Sequence, residues 1–371
     1  MVITRVKAEN FRNLDNVDIT LNDKVNVLYG KNAQGKTNFI EAMWMCSGLR
    51  SFRNTKDKDF IGIDKDFMKL SLDFKDSVRE QNISIEMKRS SPKDKLVTLN
   101  GVKQKSLSAV FGNLNCVIFT PEDLELSKGS PDNRRNFIDI SIAQIKNSYS
   151  KVVARYETVL ANRNAMLKSI TYGTVEKIML EIYDAELSKL GSYISMLRYN
   201  YVKKLFKTAS ELYREISGSK EELNFFYQST VFDNLEGKTD YKKSMANDYF
   251  FALRKNEEND LHCGFTQLGV HRDDLLVSIN GLSTREFASQ GQHRSVALVL
   301  KLAQAYILCQ ENKESPVIFL DDVLSELDYE RQEFVLNKIK NMQLFITCCD
   351  SFPEMNEGQQ LTIENGRISK A

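Results

Sequence analysis

Two segments of this chain combine residue types that handle phosphate. Gly30-Lys31-Asn32-Ala33-Gln34-Gly35-Lys36-Thr37 is a complete G-x-x-x-x-G-K-T loop. Its glycines let the backbone curl until several N–H groups face one anion. Lys36 then reaches the β and γ oxygens of a nucleotide, and Thr37 offers its hydroxyl to Mg²⁺. A helix starting at Thr37 adds the positive end of its dipole. The second segment, Val317-Ile318-Phe319-Leu320, is an apolar run that ends in Asp321 and Asp322. A carboxylate at the end of a buried strand suits Asp321 to hold Mg²⁺ through water. Its neighbour Asp322 stands where it could orient or activate the attacking water, or else merely cap a helix.

A third segment, Ala288-Ser289-Gln290-Gly291-Gln292, lies shortly before that strand. In a single copy it could serve only as a helix cap. In register with the other two it predicts that Ser289, with Gly291 and Gln292 at the helix N-terminus, meets the γ-phosphate held by a second copy of the chain. Ser325-Glu326-Leu327-Asp328 then fits the loop that crosses between the two copies near that phosphate. The chemistry implied is ATP with Mg²⁺ acting as glue between protomers, with Lys36 and Asp322 as catalytic groups and hydrolysis as the release. No Asn-Lys-x-Asp triplet for guanine is present. A small-molecule kinase would account for the loop but not for the Ser289 segment.

These groups need a sheet to hold them. Val2 to Val6, then Val17, Ile19 and Leu21, then Val25 to Leu28 read as strands leading into Gly30, with a helix after the loop carrying Trp44, the single tryptophan. Residues 67 to 100 read as further strands closing on the Asn100-Gly101 turn signal, followed by Val117-Ile118-Phe119. Ser130-Pro131 predicts a helix start with serine as cap. Ile138, Ile142, Ile145, Tyr149, Val152, Tyr156 and Val159 follow at spacings of four and three, a coiled-coil type of seam over about three heptads. A second helical stretch carries Leu190 to Leu205, so two long antiparallel helices broken near Gly173 form an arm. Leu223 to Thr230 and Leu275 to Ile279 read as strands, and Asn256 to Asp260 as a polar loop. Helices from about His293 to Gln310 and near 329 to 340 flank the Val317 strand, and Leu344 to Thr347 is a last strand. The pattern is an α/β head, 1–125 and 265–371, split by a mostly helical insertion, 126–264.

The chain has 371 residues, 42% of them hydrophobic and 27% charged, which suits a globular protein of more than one structural unit. No apolar run approaches the roughly 20 residues of a membrane span, and the first residues lack a signal-peptide profile, which makes the cytoplasm the expected location. The net charge of +1 gives no general pull toward nucleic acid, so any DNA affinity must be local. The six cysteines, Cys348 and Cys349 adjacent, show no C-x-x-C spacing and read as buried free thiols. His262 beside Cys263 has no second cluster to complete a metal site.

With these residues in view, the chain resembles the RecF family of bacterial recombination-mediator ATPases, relatives of the ABC/SMC-type heads. Asn10-Phe11-Arg12-Asn13, Phe119 to Leu124, Gly129-Ser130-Pro131 with Arg134-Arg135 and Phe137-Ile138-Asp139, Arg163-Asn164, and His271-Arg272-Asp273-Asp274 carry the likeness from end to end. It departs at Val270, where the family has proline, and at Tyr183, where tryptophan is common. Thr347-Cys348-Cys349 stands where transporter ATPases carry a histidine switch, and Asp322 where they carry glutamate. The shorter carboxylate without histidine leads to an expectation of slow hydrolysis. The resemblance implies that Arg12 and Asn13 approach the nucleotide. It further implies an ATP-dependent homodimer that binds duplex DNA and junctions of single and double strands, cooperating with RecR and RecO to load RecA. Arg50, Arg53, Lys56 and Lys58, with Lys203, Lys204 and Lys207 in the arm, are candidate DNA contacts or simply solvated faces. A nucleotide-binding ATPase of another SMC-like system, such as phage defence, is the alternative, although only about forty residues after 329 leave little room for a nuclease domain.

Overall fold

A computed structural model describes residues 1–48, 51–53, 55–171, 177–349 and 358–370. The chain forms two compact units, Met1–Leu124 with Arg294–Ala371, and Glu125–His293. The elements run β1 (Val2–Phe11), β2 (Leu14–Thr20), β3 (Val25–Tyr29), α1 (Lys36–Cys46), β4 (Phe67–Lys75), β5 (Glu80–Lys88), β6 (Ser91–Leu99), β7 (Val102–Gln104) and β8 (Cys116–Phe119). The second unit follows with α2 (Glu125–Lys128), α3 (Pro131–Ile145), α4 (Ser148–Thr171), α5 (Leu180–Ile216), β9 (Leu223–Gln228), α6 (Ser244–Lys255), α7 (Glu257–Cys263), β10 (Asp274–Ile279), β11 (Leu282–Ser283) and α8 (Thr284–Phe287). Then come α9 (Gln290–Asn312), β12 (Val317–Leu320), α10 (Tyr329–Ile339), β13 (Leu344–Cys348), β14 (Gln359–Glu364) and β15 (Arg367–Lys370).

Among the described residues the first unit holds two six-stranded sheets. One is ordered β2-β1-β4-β5-β6-β7, and its paired strands are antiparallel. Its central strands β4 and β5 alternate buried with more exposed residues, as in β5, where Gln81, Ile83, Ile85 and Met87 face inward. The other is ordered β15-β14-β3-β13-β12-β8, and β14, β3, β13, β12 and β8 run parallel. A strand covered on both faces must be apolar throughout, and all four residues of β12 and of β8 are buried. Helix α1 touches strands of both sheets. That position explains why it is buried nearly all round, Trp44 included, rather than on one stripe.

The second unit reaches to His293 rather than ending at 264, because β10 pairs with β9 along six residues and α5 packs on β9. The strand Leu275–Ile279 therefore belongs with the helices. The arm pairs α4 with the 37-residue α5, about 55 Å long at 1.5 Å per residue. The expected unbroken seam from Ile138 to Val159 is interrupted. Lys146 is extended, and Asn147 and Ser148 favour a fresh start over helix continuation. Tyr149 remains fully buried, its hydroxyl 2.5 Å from Asp139 Oδ1. Pro131 does open α3, but the Ser130 side chain makes no capping bond. Gly173, expected at the break, lies outside the described residues.

Asn256 to Asp260 is not a loop, since Glu257–Cys263 is helical and Asp260 is buried. The cause is Arg163, which is completely buried. It donates to Asp184 Oδ1 at 2.6 Å, Asp260 Oδ2 at 2.6 Å and Thr266 Oγ1 at 2.8 Å. Arg198 similarly forks onto Asp139 at 2.8 and 2.7 Å and reaches the Val270 carbonyl at 2.6 Å. Arg134 forks onto Asp274 at 2.7 and 2.9 Å. Burial lowers the His271 pKa to about 4, so the ring is neutral at pH 7. Its Nε2 faces the Thr266 carbonyl, which makes Nε2–H the donor and Nδ1 the acceptor from Tyr156. Tyr249 bonds Tyr156 in turn and accepts from the Val270 N–H at 3.2 Å, a donor that proline would lack. The motif residues Arg134, Asp139, Arg163, His271 and Asp274 are thus joined into the polar core of this unit.

Removing Arg163 takes the close counter-charge from two buried carboxylates and leaves Asp184 with only Arg254 at 3.9 Å. Arg163→Ala should destabilise the chain by about 3–5 kcal/mol, read as a lower denaturant midpoint in equilibrium unfolding.

Candidate nucleotide site

The phosphate loop leaves the C-terminal end of β3, and Asp321 leaves the corresponding end of β12. Strand β13 lies between them, so the loop, Thr347 to Cys349 and the two aspartates share one edge of the parallel sheet. In open α/β sheets this edge is where ligands bind. Lys36, the first residue of α1, is only 4% exposed, and its ammonium donates to the Gly30 carbonyl at 2.6 Å and the Lys31 carbonyl at 3.5 Å. Cys349 Sγ lies 3.4 Å from the same nitrogen and 2.9 Å from Asn32 Oδ1. The lysine is thereby folded across its own loop.

Thr37 Oγ1 donates to Asp321 Oδ1 at 3.1 Å, and Thr347 Oγ1 donates to the same oxygen at 2.9 Å. Asp321 is 5% exposed. Burial raises its pKa to about 6, while the two hydroxyls pull the other way and Asp322 adds a smaller upward push. Asp322 is half-buried with φ of 53°, its N–H donating to Thr347 Oγ1 at 2.8 Å. Among the described residues no group of three or more His, Cys, Asp or Glu could hold a metal ion. A threonine hydroxyl beside one carboxylate instead fits Mg²⁺, which takes few protein oxygens and is completed by phosphate and water.

Asn13, part of the tight turn between β1 and β2, lies against the loop. It donates to the Ala33 carbonyl at 3.4 Å and accepts from Asn38 at 2.7 Å. Arg12, with φ of 50° in the same turn, is held by Glu41 of α1 at 2.5 Å and Thr55 at 2.7 Å, with Phe60 beneath it. A second support, not foreseen from the motifs, comes from the C-terminal strands. The β14–β15 hairpin turns at Asn365-Gly366, and Gln34 of the loop accepts from the Asn365 N–H at 2.6 Å and from the Gly366 N–H at 3.1 Å. Added Cβ atoms at Gly30 and Gly366 would lie 2.5 Å from the Ile363 carbonyl oxygen and 1.8 Å from that of Asn13, so neither position admits another residue in this packing. The Asn-Gly pair between Leu361, Ile363 and Ile368 is a hairpin signal that could have revealed this element.

Within the second unit, Ser289 and Gln292 form a reciprocal cap on α9. The serine oxygen accepts from the Gln292 N–H at 3.3 Å, and the glutamine oxygen accepts from the Ser289 N–H at 2.8 Å. Gly291 lies in the first turn between them. Ser325 donates to the Asp322 carbonyl at 2.8 Å, and Asp328 caps α10 by accepting from the Arg331 N–H at 2.9 Å. Arg53 is bonded to Asn38 at 2.9 Å, and its charge favours the ionised form of Asp321, which associates it with this site. Lys56 and Lys204 are exposed, and Lys203 lies 3.9 Å from Glu236. Arg50 lies outside the described residues. The expectation of buried thiols holds for Cys46 and Cys116 but fails for the exposed Cys263 and Cys349. Cys349 follows the end of β13 and is turned to the loop instead of the core. Among the described residues no helix is long and apolar enough to cross a membrane.

The raised pKa of Asp321 has a definite sign in stability. Its folded value near 6 exceeds the ordinary 3.8, so the penalty of ionising it is absent below the unfolded pKa and grows as pH rises through about 6. Asp321→Asn should therefore stabilise the nucleotide-free chain at pH 7.5, by an amount on the order of 3 kcal/mol. The gain should shrink to nothing toward pH 4, as read by thermal unfolding of both proteins across that range.

Known proteins share the sequence pattern and architecture of this chain. The RecF/RecN/SMC N terminal domain family matches residues 2–368. The DNA replication and repair protein RecF of Clostridium acetobutylicum is 37% identical over 377 residues, with all of both chains covered. That of Acetivibrio thermocellus is 37% identical over 372 residues, covering 99% of each. The solved structure of the recombination mediator protein RecF-ATP in the RecFOR pathway is similar with a TM-score of 0.92 and 34% identity, covering 100% of this chain and 97% of that one. The Smc head domain of Pyrococcus furiosus, at 15% identity and a TM-score of 0.56 over 100% of this chain and 96% of its own, shares the fold alone. The architecture is that of an ABC/SMC-type ATPase head carrying a largely helical insertion. The chain belongs to the RecF family, within the wider RecF/RecN/SMC N-terminal domain group.

Proposed function

We propose that this chain is an ATP-dependent DNA-binding clamp of recombinational repair and replication-fork maintenance. The observation that carries the reading is the meeting of Lys36, Thr37 and Asp321 at one sheet edge, in a chain 34% identical to a RecF solved with ATP. The loop amides and Lys36 bind the phosphates, and Thr37 with Asp321 would hold Mg²⁺. Bound there, Mg²⁺ would neutralise charge on the β and γ oxygens. Asp322 orients the water. Its short side chain and a Thr347-Cys348-Cys349 segment without histidine favour slow turnover, below the roughly 1 s⁻¹ lower bound of ordinary enzymes, which makes ATP a timer.

In this reading Ser289, Gly291 and Gln292 exchange their reciprocal cap for the γ-phosphate of a second copy, and Ser325 and Asp328 line the crossing loop. The dimer is the DNA-binding form. It prefers junctions of single- and double-stranded DNA, works with RecR and RecO, and assists RecA loading in the cytoplasm. A curated name of DNA replication and repair protein among full-length relatives supports the biological setting.

The test is binding to a labelled single-strand/double-strand junction. With Mg²⁺ and ATP the wild type should bind more tightly than Lys36→Ala by at least about tenfold, with log affinity falling steeply against log salt. Lys203→Ala or Lys204→Ala should weaken binding uniformly across sequences. Equal binding with and without nucleotide would refute the clamp.

A further inference from the structure

Thr347 lies one residue past the pairing of Leu320 with Ile346, which brings its side chain level with Asp321 on the neighbouring strand. It is 2% exposed. Three polar contacts converge on its single oxygen. It donates to Asp321 Oδ1 at 2.9 Å, accepts from the Asp322 N–H at 2.8 Å, and stands 3.3 Å from Asp322 Oδ1. A hydroxyl has one proton, so it can serve only one of the two carboxylates at a time. Asp321 has a second donor in Thr37, which leaves it satisfied when the Thr347 proton turns to Asp322. The same oxygen braces the left-handed backbone at Asp322, where φ is 53°.

We propose that Thr347 is the positioning residue that couples the two carboxylates. It pins the turn that aims Asp322 and shares one proton between Asp321 and Asp322, so a change at Asp321 is transmitted to Asp322. The inference rests on the reading of Asp321 and Asp322 given above. It assigns the threonine of Thr347-Cys348-Cys349 a task within the site rather than in strand packing.

The experiment compares full-length wild type, Thr347→Val, Thr347→Ser and Asp322→Asn. It measures kcat and KM for ATP, the affinity of a fluorescent ATP analogue with and without Mg²⁺, and thermal unfolding without nucleotide. Valine keeps the shape and removes the hydroxyl. Thr347→Val should lower kcat by about 10–100-fold and weaken the Mg²⁺-dependent part of analogue affinity, leaving Mg²⁺-free affinity unchanged. Thr347→Ser should restore both. Wild-type kcat and Mg²⁺ dependence in Thr347→Val would overturn the coupling, as would a Thr347→Ser as impaired as Thr347→Val. Asp322→Asn separates the layers. Retained turnover there would overturn the role of Asp322 and the coupling with it, whereas lost turnover there beside intact Thr347→Val would overturn the coupling alone.

Discussion

The hydrogen bond from Thr37 to Asp321 joins residues 284 positions apart, and the site depends on it. The bond depends on β3, β13 and β12 staying parallel and in register, which keeps the loop after β3 and Asp321 after β12 at one edge. A slip of one residue between β12 and β13 would also turn Thr347 and Asp321 to opposite faces. The parallel sheet meets that demand by burying its central strands on both faces. Burial then raises the cost of ionising Asp321, and the hydroxyls of Thr37 and Thr347 partly offset it. A site built in this way holds a carboxylate ready for a cation at some expense to the stability of the empty protein.

Around that bond the loop is braced from two directions. The β1–β2 turn brings Asn13 against it, and the Asn365-Gly366 turn binds the side chain and carbonyl of Gln34. Both turns come from segments remote in sequence. Asn13 meets the loop through its side-chain amide, and Asn365-Gly366 meets it through backbone N–H groups, where a Cβ at Gly366 would not fit. Pre-formed loops of this kind spend little binding energy on ordering themselves. The second unit is held differently. Its core is stitched by buried arginines to aspartates, an arrangement that gives fixed geometry more than stability.

The phosphate loop, the apolar strand before Asp321 and the capped start of α9 were legible in the sequence because each is a local pattern with a local physical reason. Of the strands of the head, β2 was legible from alternation and β8, β12 and β13 as short apolar runs, whereas β14 and β15 were missed. What was not legible depended on partners far along the chain. Glu257–Cys263 reads as polar loop until Arg163 supplies the buried counter-charge to Asp260. The seam from Ile138 to Val159 looks continuous, yet it breaks at the extended Lys146, and Tyr149 beyond the break bonds Asp139. Cys349 reads as core thiol until β13 ends and the residue meets Lys36. The role of Thr347 was hidden for the same reason, since a threonine in a strand is ordinary until its neighbours are known.

The central claim is that nucleotide held at this site joins two copies of the chain. The most direct measurement is molar mass in solution with and without Mg²⁺ and ATP, for wild type, Lys36→Ala and Ser289→Arg. A shift from monomer to dimer with Mg²⁺ and ATP is expected in wild type alone. A wild type that stays monomeric with Mg²⁺ and ATP, even with junction DNA present, would contradict it and leave a nucleotide-binding protein that works as a single copy.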